Sequence, residues 1–141
     1  MVKKQIIELL KLLGFRQNGN VYTKKYDTAL HPLQVDVEKE RIYYENSGIT
    51  VNRSTTSNFS EDENLVVLEC VDRLLSKGYH ANHIELEPHW KLGHGTKGGY
   101  ADIWVRTYTD NAFDGNDDDK NSLLIIECKT SGAKFNEAWN D

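Results

Sequence analysis

Cysteine, positive charge and long apolar runs are all scarce in this chain, and each shortage narrows what it can be. Its 141 residues hold 2 cysteines, Cys70 and Cys128, each inside an apolar run and without a C-x-x-C partner. Neither a disulfide framework nor a zinc site is indicated, and both side chains read as buried thiols. The longest apolar runs, Leu65 to Leu68 and Leu123 to Ile126, fall far short of the roughly 18 residues that a membrane span needs. The N-terminus carries no signal-peptide core or cleavage site, so a soluble, cytoplasmic protein with no membrane partner is expected. Lysine and arginine total 17 against 22 aspartates and glutamates, a net charge of −5. That balance excludes a chain whose whole surface clamps nucleic acid by a positive field, so any such contact must be local. Repeats and low-complexity tracts are absent as well.

What is present suits one folded core. The chain is close to the roughly 150 residues of an average domain, and 38% apolar with 28% charged residues exclude disorder and a coiled coil. Residues 2–13 place Val2, Ile6, Leu9, Leu10 and Leu13 at helical spacing ahead of Gly14, which predicts a first amphipathic helix. Segments 20–26, 33–37, 41–45 and 49–52 are rich in Tyr, Val, Ile and Thr and separated by turn formers; they predict a small antiparallel meander. Ser60 and Glu63 read as a capping box for a second helix over about 61–77, closed by Gly78. Its apolar residues cover most of the wheel and leave Glu69, Asp72 and Arg73 on one narrow polar strip, so the helix must be packed on most sides. Three strands follow, Ile84 to Trp90, Tyr100 to Thr107 and Ser122 to Thr130. A glycine-rich stretch, 93–99, joins the first two, and a loop with five aspartates joins the last two. An α/β (α+β) sandwich accommodates this order.

The chemistry concentrates on the last two strands. Leu123 to Ile126 begins as a strand buried on both faces, yet Glu127-Cys128-Lys129 ends it with two charges. Alternation puts Glu127 and Lys129 on one face and Cys128 on the other. One strand earlier, Asp102 interrupts an otherwise apolar run, Tyr100 to Val105. Burying these charges without partners costs several kcal/mol or shifts their pKa values. If the strands pair, Asp102, Glu127 and Lys129 meet at one spot. Hard carboxylate oxygens hold Mg²⁺, and a metal-bound water beside a lysine is more easily deprotonated for attack on a phosphodiester.

Asp102 with Glu127-Cys128-Lys129 resembles the PD-(D/E)xK nuclease superfamily. The layout from Asn58 to Thr130 is similar to the N-terminal nuclease domain of type I restriction R subunits and of restriction-modification proteins fused to an adenine DNA methyltransferase. The resemblance covers about residues 58–135. It implies a restriction-endonuclease-like core, a central mixed sheet flanked by helices, over 58–141, behind a lead segment, 1–57, of helix and meander. It also implies a hydrolase that cuts double-stranded DNA with Mg²⁺ (Mn²⁺ substituting) to leave 5′-phosphate ends, working with a fused or associated methyltransferase, helicase or specificity region. Asp102, Glu127 and the Cys128 backbone carbonyl would bind metal, and Lys129 would position or activate the attacking water. Glu69 would be an accessory acid, with a merely solvated carboxylate as its alternative. Ala101 stands where the superfamily has proline, which is no ligand. The chain stops twelve residues after Lys129, inside a helix expected from about Lys134, so a piece of a longer protein is expected. The rival reading is a non-catalytic nuclease-fold module for DNA or subunit contact.

Other residues draw weaker expectations. Lys91, His94 and Lys97 around the glycine-rich stretch either touch DNA phosphates or belong to a hairpin connection that needs positive φ. His80, His83 and His89 have no metal-ligand spacing, and Asp114, Asp117, Asp118 and Asp119 lack the spacing and terminal glutamate of a calcium loop. Trp104 is expected in the core.

Overall fold

A computed structural model describes residues 3–88, 102–106 and 122–128, the last of these with backbone alone for Ser122 and Leu123. Its described part is a mixed α+β structure with two helices and two sheets, one of them mixed. The expectations for Lys91, His94, Lys97, Lys129, His89, the glycine-rich stretch, the aspartate loop and the C-terminal helix lie outside the described residues.

Helix α1, Lys3–Leu12, buries Ile6 and Leu10 on its inward face, one turn apart as the 3.6-residue period requires. A four-stranded antiparallel sheet follows: β1 (Arg16–Asn18), β2 (Val21–Lys24), β3 (Leu33–Asp36) and β4 (Arg41–Ile42), paired in that order. Strand β1 had no counterpart in the sequence reading, because Arg16, Gln17 and Asn18 are all exposed and offer no apolar alternation. Segment 41–45 keeps only two strand residues before a 3-10 turn, Tyr44–Ser47. Segment 49–52 is not part of this meander. Its strand β5, Thr50–Val51, runs parallel to β6, Ile84–Leu86, in the second sheet.

That second sheet has the order β5-β6-β7-β8, with β7 at Ile103–Arg106 and β8 at Ser122–Ile126, and β6, β7 and β8 antiparallel in turn. Ile84, Leu86, Ile103 and Val105 alternate into the core. On the opposite face Trp104 and Arg106 are also buried, at 6% and 5% exposure, and the guanidinium lies 5.4 Å from the indole ring centroid. Glu85 stands 3.8 Å from Arg106 and accepts a 2.6 Å hydrogen bond from the Asn52 amide, so this buried cation has a counter-charge. Strand β8 is outermost in the described order, and Leu124 and Ile125 are exposed. This corrects the expectation of a strand buried on both faces. Asp102 stands just before β7 instead of mid-strand.

Helix α2, Glu63–Lys77, packs Val67, Leu68, Val71, Leu74 and Leu75 into the same core. The proposed capping box is not formed. Ser60 instead gives both its N–H and its hydroxyl to Asn58 Oδ1, and Asp62 precedes the helix without a side-chain cap. The C-terminus ends as read: Gly78 takes φ +110° and Tyr79 N–H bonds the Leu74 carbonyl at 3.1 Å, a closure that favours glycine. The polar strip is corrected at Asp72, which is buried. Its Oδ1 accepts 2.6 Å bonds from Lys24 Nζ and from the Tyr26 hydroxyl. Lys24 Nζ also reaches the Leu13 carbonyl at 2.6 Å, so one ammonium joins the end of α1, strand β2 and α2. Residues Ile6 to Cys128 contribute to one apolar cluster, and it draws on both sides of the 57/58 boundary. Among the described residues, no helix is long and apolar enough to cross a membrane.

Candidate functional site

Strands β7 and β8 pair with Ile103 opposite Ile126, and antiparallel register then brings Asp102 to Glu127. The ladder extends one bond further, from Asp102 N–H to the Ile126 carbonyl at 3.1 Å. The Asp102 side chain turns along the strand ends, where its Oδ2 accepts the Cys128 N–H at 2.6 Å. Glu127 is exposed and Cys128 is buried, as alternation requires. Of the expected set, the described residues thus bring Asp102, Glu127 and Cys128 to one place. Lys129 lies outside them.

A third strand end closes on Asp102 from the other side. Glu87, just past β6, has φ +52°, and its N–H donates to the Asp102 carbonyl at 3.0 Å. Its carboxylate accepts the Thr55 hydroxyl at 2.9 Å. Thr55 is itself fixed by the buried Asn64 of α2, whose amide donates to the Thr55 and Asn58 carbonyls at 3.0 and 2.8 Å. The connection before α2, the first turn of that helix and the ends of β6, β7 and β8 therefore meet around one carboxylate.

Electrostatics single that carboxylate out. Burial pushes the Asp102 carboxyl above its usual range; the Cys128 N–H pulls the other way, and the neighbouring charges of Glu87, Glu63 and Glu127 add to the rise. Like charges gathered around a half-buried acid disfavour its ionised form, and a bound cation would relieve the repulsion. Glu63 and Glu87 were not singled out as site residues in the sequence. Glu63 had been read as half of a capping box, and the placement of Glu87 depends on a left-handed backbone that alternation does not foretell.

Glu69 sits more than a turn further along α2. It receives a 2.7 Å bond from Arg73 on the solvent side, an arrangement that supplies its own counter-charge. It is not among the groups that act on Asp102. His80 and His83 pack as a tilted pair with ring centroids 6.1 Å apart. The His83 imidazole is pushed down by burial, then by His80 and Arg106.

Beneath the carboxylates lie both thiols. Cys128 is 5% exposed and Cys70, on α2, is half-buried, with their sulfurs 3.9 Å apart. The Cys128 S–H points to the Cys70 sulfur and lowers the Cys70 thiol to about 7. The Tyr44 ring is fully buried nearby, its phenol raised first by burial and then by Cys128 and Cys70.

The side chains of Asp102 and Glu127 and the backbone carbonyl of Cys128 are oxygen donors, the type that hard cations take. Among the described residues, no three Asp, Glu, His or Cys side chains converge as a ready-made chelate. No family model, curated protein or solved structure matches the chain.

Proposed function

We propose that the strand ends around Asp102 form the metal site of a nuclease, which hydrolyses phosphodiester bonds of double-stranded DNA as part of a restriction-modification enzyme. The observation that carries this reading is the half-buried Asp102, bonded through the Cys128 N–H to the Glu127 segment and raised by burial and by the charges of Glu87, Glu63 and Glu127. The order α2-β6-β7-β8, with an antiparallel three-strand run after the helix, supports a restriction-endonuclease-like core. Asp102 and Glu127 would hold Mg²⁺ with the Cys128 carbonyl. When bound, the ion would polarise the phosphodiester and lower the pKa of a water.

The protein's own groups do the rest. Asp102 is oriented by the Cys128 N–H, which occupies one carboxylate oxygen and leaves the other for the ion. Glu127, exposed at the end of β8, would hold the ion from the solvent side. Lys129, in the E-C-K triplet, would position the water as an ammonium or, as the neutral amine, take its proton. Glu63, whose charge reaches Asp102, is the better accessory acid than Glu69. Affinity for an anionic duplex would come from a fused or associated methyltransferase, helicase or specificity region, given the net charge of −5. The second reading, a nuclease-fold module for DNA or subunit contact, requires no metal.

Calorimetric titration of Mn²⁺ into the chain and its Glu127→Ala variant separates the two. Saturable binding lost in the variant supports the metal site. Identical traces from the two proteins would sink the nuclease reading and leave the contact module.

A further inference from the structure

The chain has two cysteines, 58 positions apart in sequence, and folding places their sulfurs in contact at 3.9 Å. Both are free thiols. Cys70 sits within α2, on a helix fixed by its core face and by Asp72. Cys128 follows the last ladder pair of β8, the outermost strand in the described order, and the described contact that ties its backbone is the bond to Asp102. One sulfur is thus on a helix and the other just past a strand end. A disulfide bond is about 2.05 Å long, so the sulfurs need to close by about 2 Å. Cys70 is half-buried and reachable by a small reagent, whereas Cys128 is 5% exposed.

We propose that Cys70 and Cys128 are a reversible redox pair, oxidised by a low-molecular-weight disulfide to an internal disulfide that pulls the Glu127-Cys128 segment toward α2 and away from Asp102. The Cys70 sulfur attacks oxidised glutathione as the thiolate, forming a mixed disulfide and releasing one glutathione thiolate. The Cys128 sulfur then attacks the Cys70 sulfur, the mixed disulfide breaks, and the second glutathione leaves. The two protein thiols give up two electrons and two protons, and the oxidant carries them away as two glutathione thiols. The geometry assigns Cys70 as the attacking residue and Cys128 as the resolving one. Loss of metal affinity on oxidation rests on the function proposed above; the disulfide itself does not.

The reduced 141-residue chain is exposed to oxidised glutathione, then followed by thiol counting, intact mass and peptide mapping. The expected result is a monomer with no free thiol, lighter by two hydrogens, with a Cys70–Cys128 cross-linked peptide that dithiothreitol reverses. The Cys128→Ser variant should stop at a glutathione adduct on Cys70. A wild-type chain that keeps glutathione on Cys70, stays reduced, or links only to a second chain overturns the pair, whether or not the variant folds. Mn²⁺ titration of both redox states reads the consequence: binding weakened about tenfold or more, the scale of losing a residue that orients a ligand, and restored by reduction. Equal Mn²⁺ binding in both states overturns the gating and leaves the metal site intact. Failure of both states to bind Mn²⁺, with the cross-link formed, rejects the proposed function and the gating while the redox pair stands.

Discussion

Replacing Asp72 by alanine tests whether α2 is held in place by charge as well as by apolar packing. The Asp72 side chain is 8% exposed and that of Lys24 is 23% exposed, 2.6 Å apart. At an effective dielectric near 20, that separation corresponds to about 6 kcal/mol of gross attraction, against which the desolvation of both ions must be set. Alanine leaves Lys24 with the Leu13 carbonyl and the Tyr26 ring, 5.2 Å from its ammonium, and strips the Tyr26 hydroxyl of the acceptor that it reaches at 2.6 Å. Breaking one side of a buried pair typically costs about 3–5 kcal/mol. The partial exposure of Lys24 lets water solvate the ammonium and puts the expected loss near the lower bound, about 3 kcal/mol. In a chain of this size that lowers the melting temperature by roughly 6–12 °C. The assay is urea unfolding of the wild type, Asp72→Ala, Lys24→Met and the double variant Lys24→Met with Asp72→Leu. The double variant should recover most of the loss, because replacing both ions with apolar groups leaves no charge stranded. A loss below about 1 kcal/mol in Asp72→Ala, or a double variant as weak as the worse single one, would refute the idea that this ion pair anchors α2.

Three further outcomes are expected. Asp102→Asn keeps an acceptor for the Cys128 N–H but removes the charge. The folded Asp102 carboxyl is raised above its usual range, so its stabilising contribution is complete below the ordinary carboxylate value of about 3.9 and is lost as pH rises through the raised one. The variant should therefore melt higher than wild type near neutral pH, converge with it in acid, and bind Mn²⁺ more weakly; equal melting at both pH values would contradict the burial argument. Glu63→Gln should weaken Mn²⁺ binding about tenfold, whereas Glu69→Gln, which only frees Arg73, should leave it within a factor of about two; the reverse ranking in calorimetry would return the accessory role to Glu69. Gly78→Ala meets no atom within 4 Å of the added methyl, yet its φ is +110°, so backbone strain alone should cost about 1 kcal/mol in thermal melting, and an unchanged midpoint would show that the helix end relaxes.

What the sequence made legible follows from the range over which each signal acts. Helix α2 was readable because its apolar period and Gly78 are contained in a stretch of about 16 positions. The meeting of Asp102 with Glu127 was readable because alternation and one hairpin pairing suffice to place them. Strand β5 was assigned to the wrong sheet for the complementary reason. Thr50–Val51 has the same composition as the meander strands, and its partner is a parallel strand 35 positions away, a pairing that no local pattern encodes. Asp72 was read as solvent-facing because its helical neighbours Glu69 and Arg73 are, while Lys24, the cation that makes its burial tolerable, lies 48 positions earlier.

The same reasoning explains why the site as read was smaller than the site as folded. Glu63 and Glu87 reach Asp102 from elements not adjacent to it in sequence. One comes through the first turn of α2, the other through a left-handed residue at the end of β6 stapled by Thr55. Each is an unremarkable surface glutamate to a local reading. Around a half-buried aspartate they become a set of like charges that the fold holds together against their repulsion. Asn64 and the Cys128 N–H are the neutral groups that fix this geometry. Stability alone gives no reason to place a half-buried aspartate within reach of the charges of Glu87, Glu63 and Glu127, because an asparagine at 102 would satisfy the same N–H at lower electrostatic cost. The cost is intelligible if a cation is part of the working state, which is why the stability and the metal affinity of Asp102→Asn should move in opposite directions.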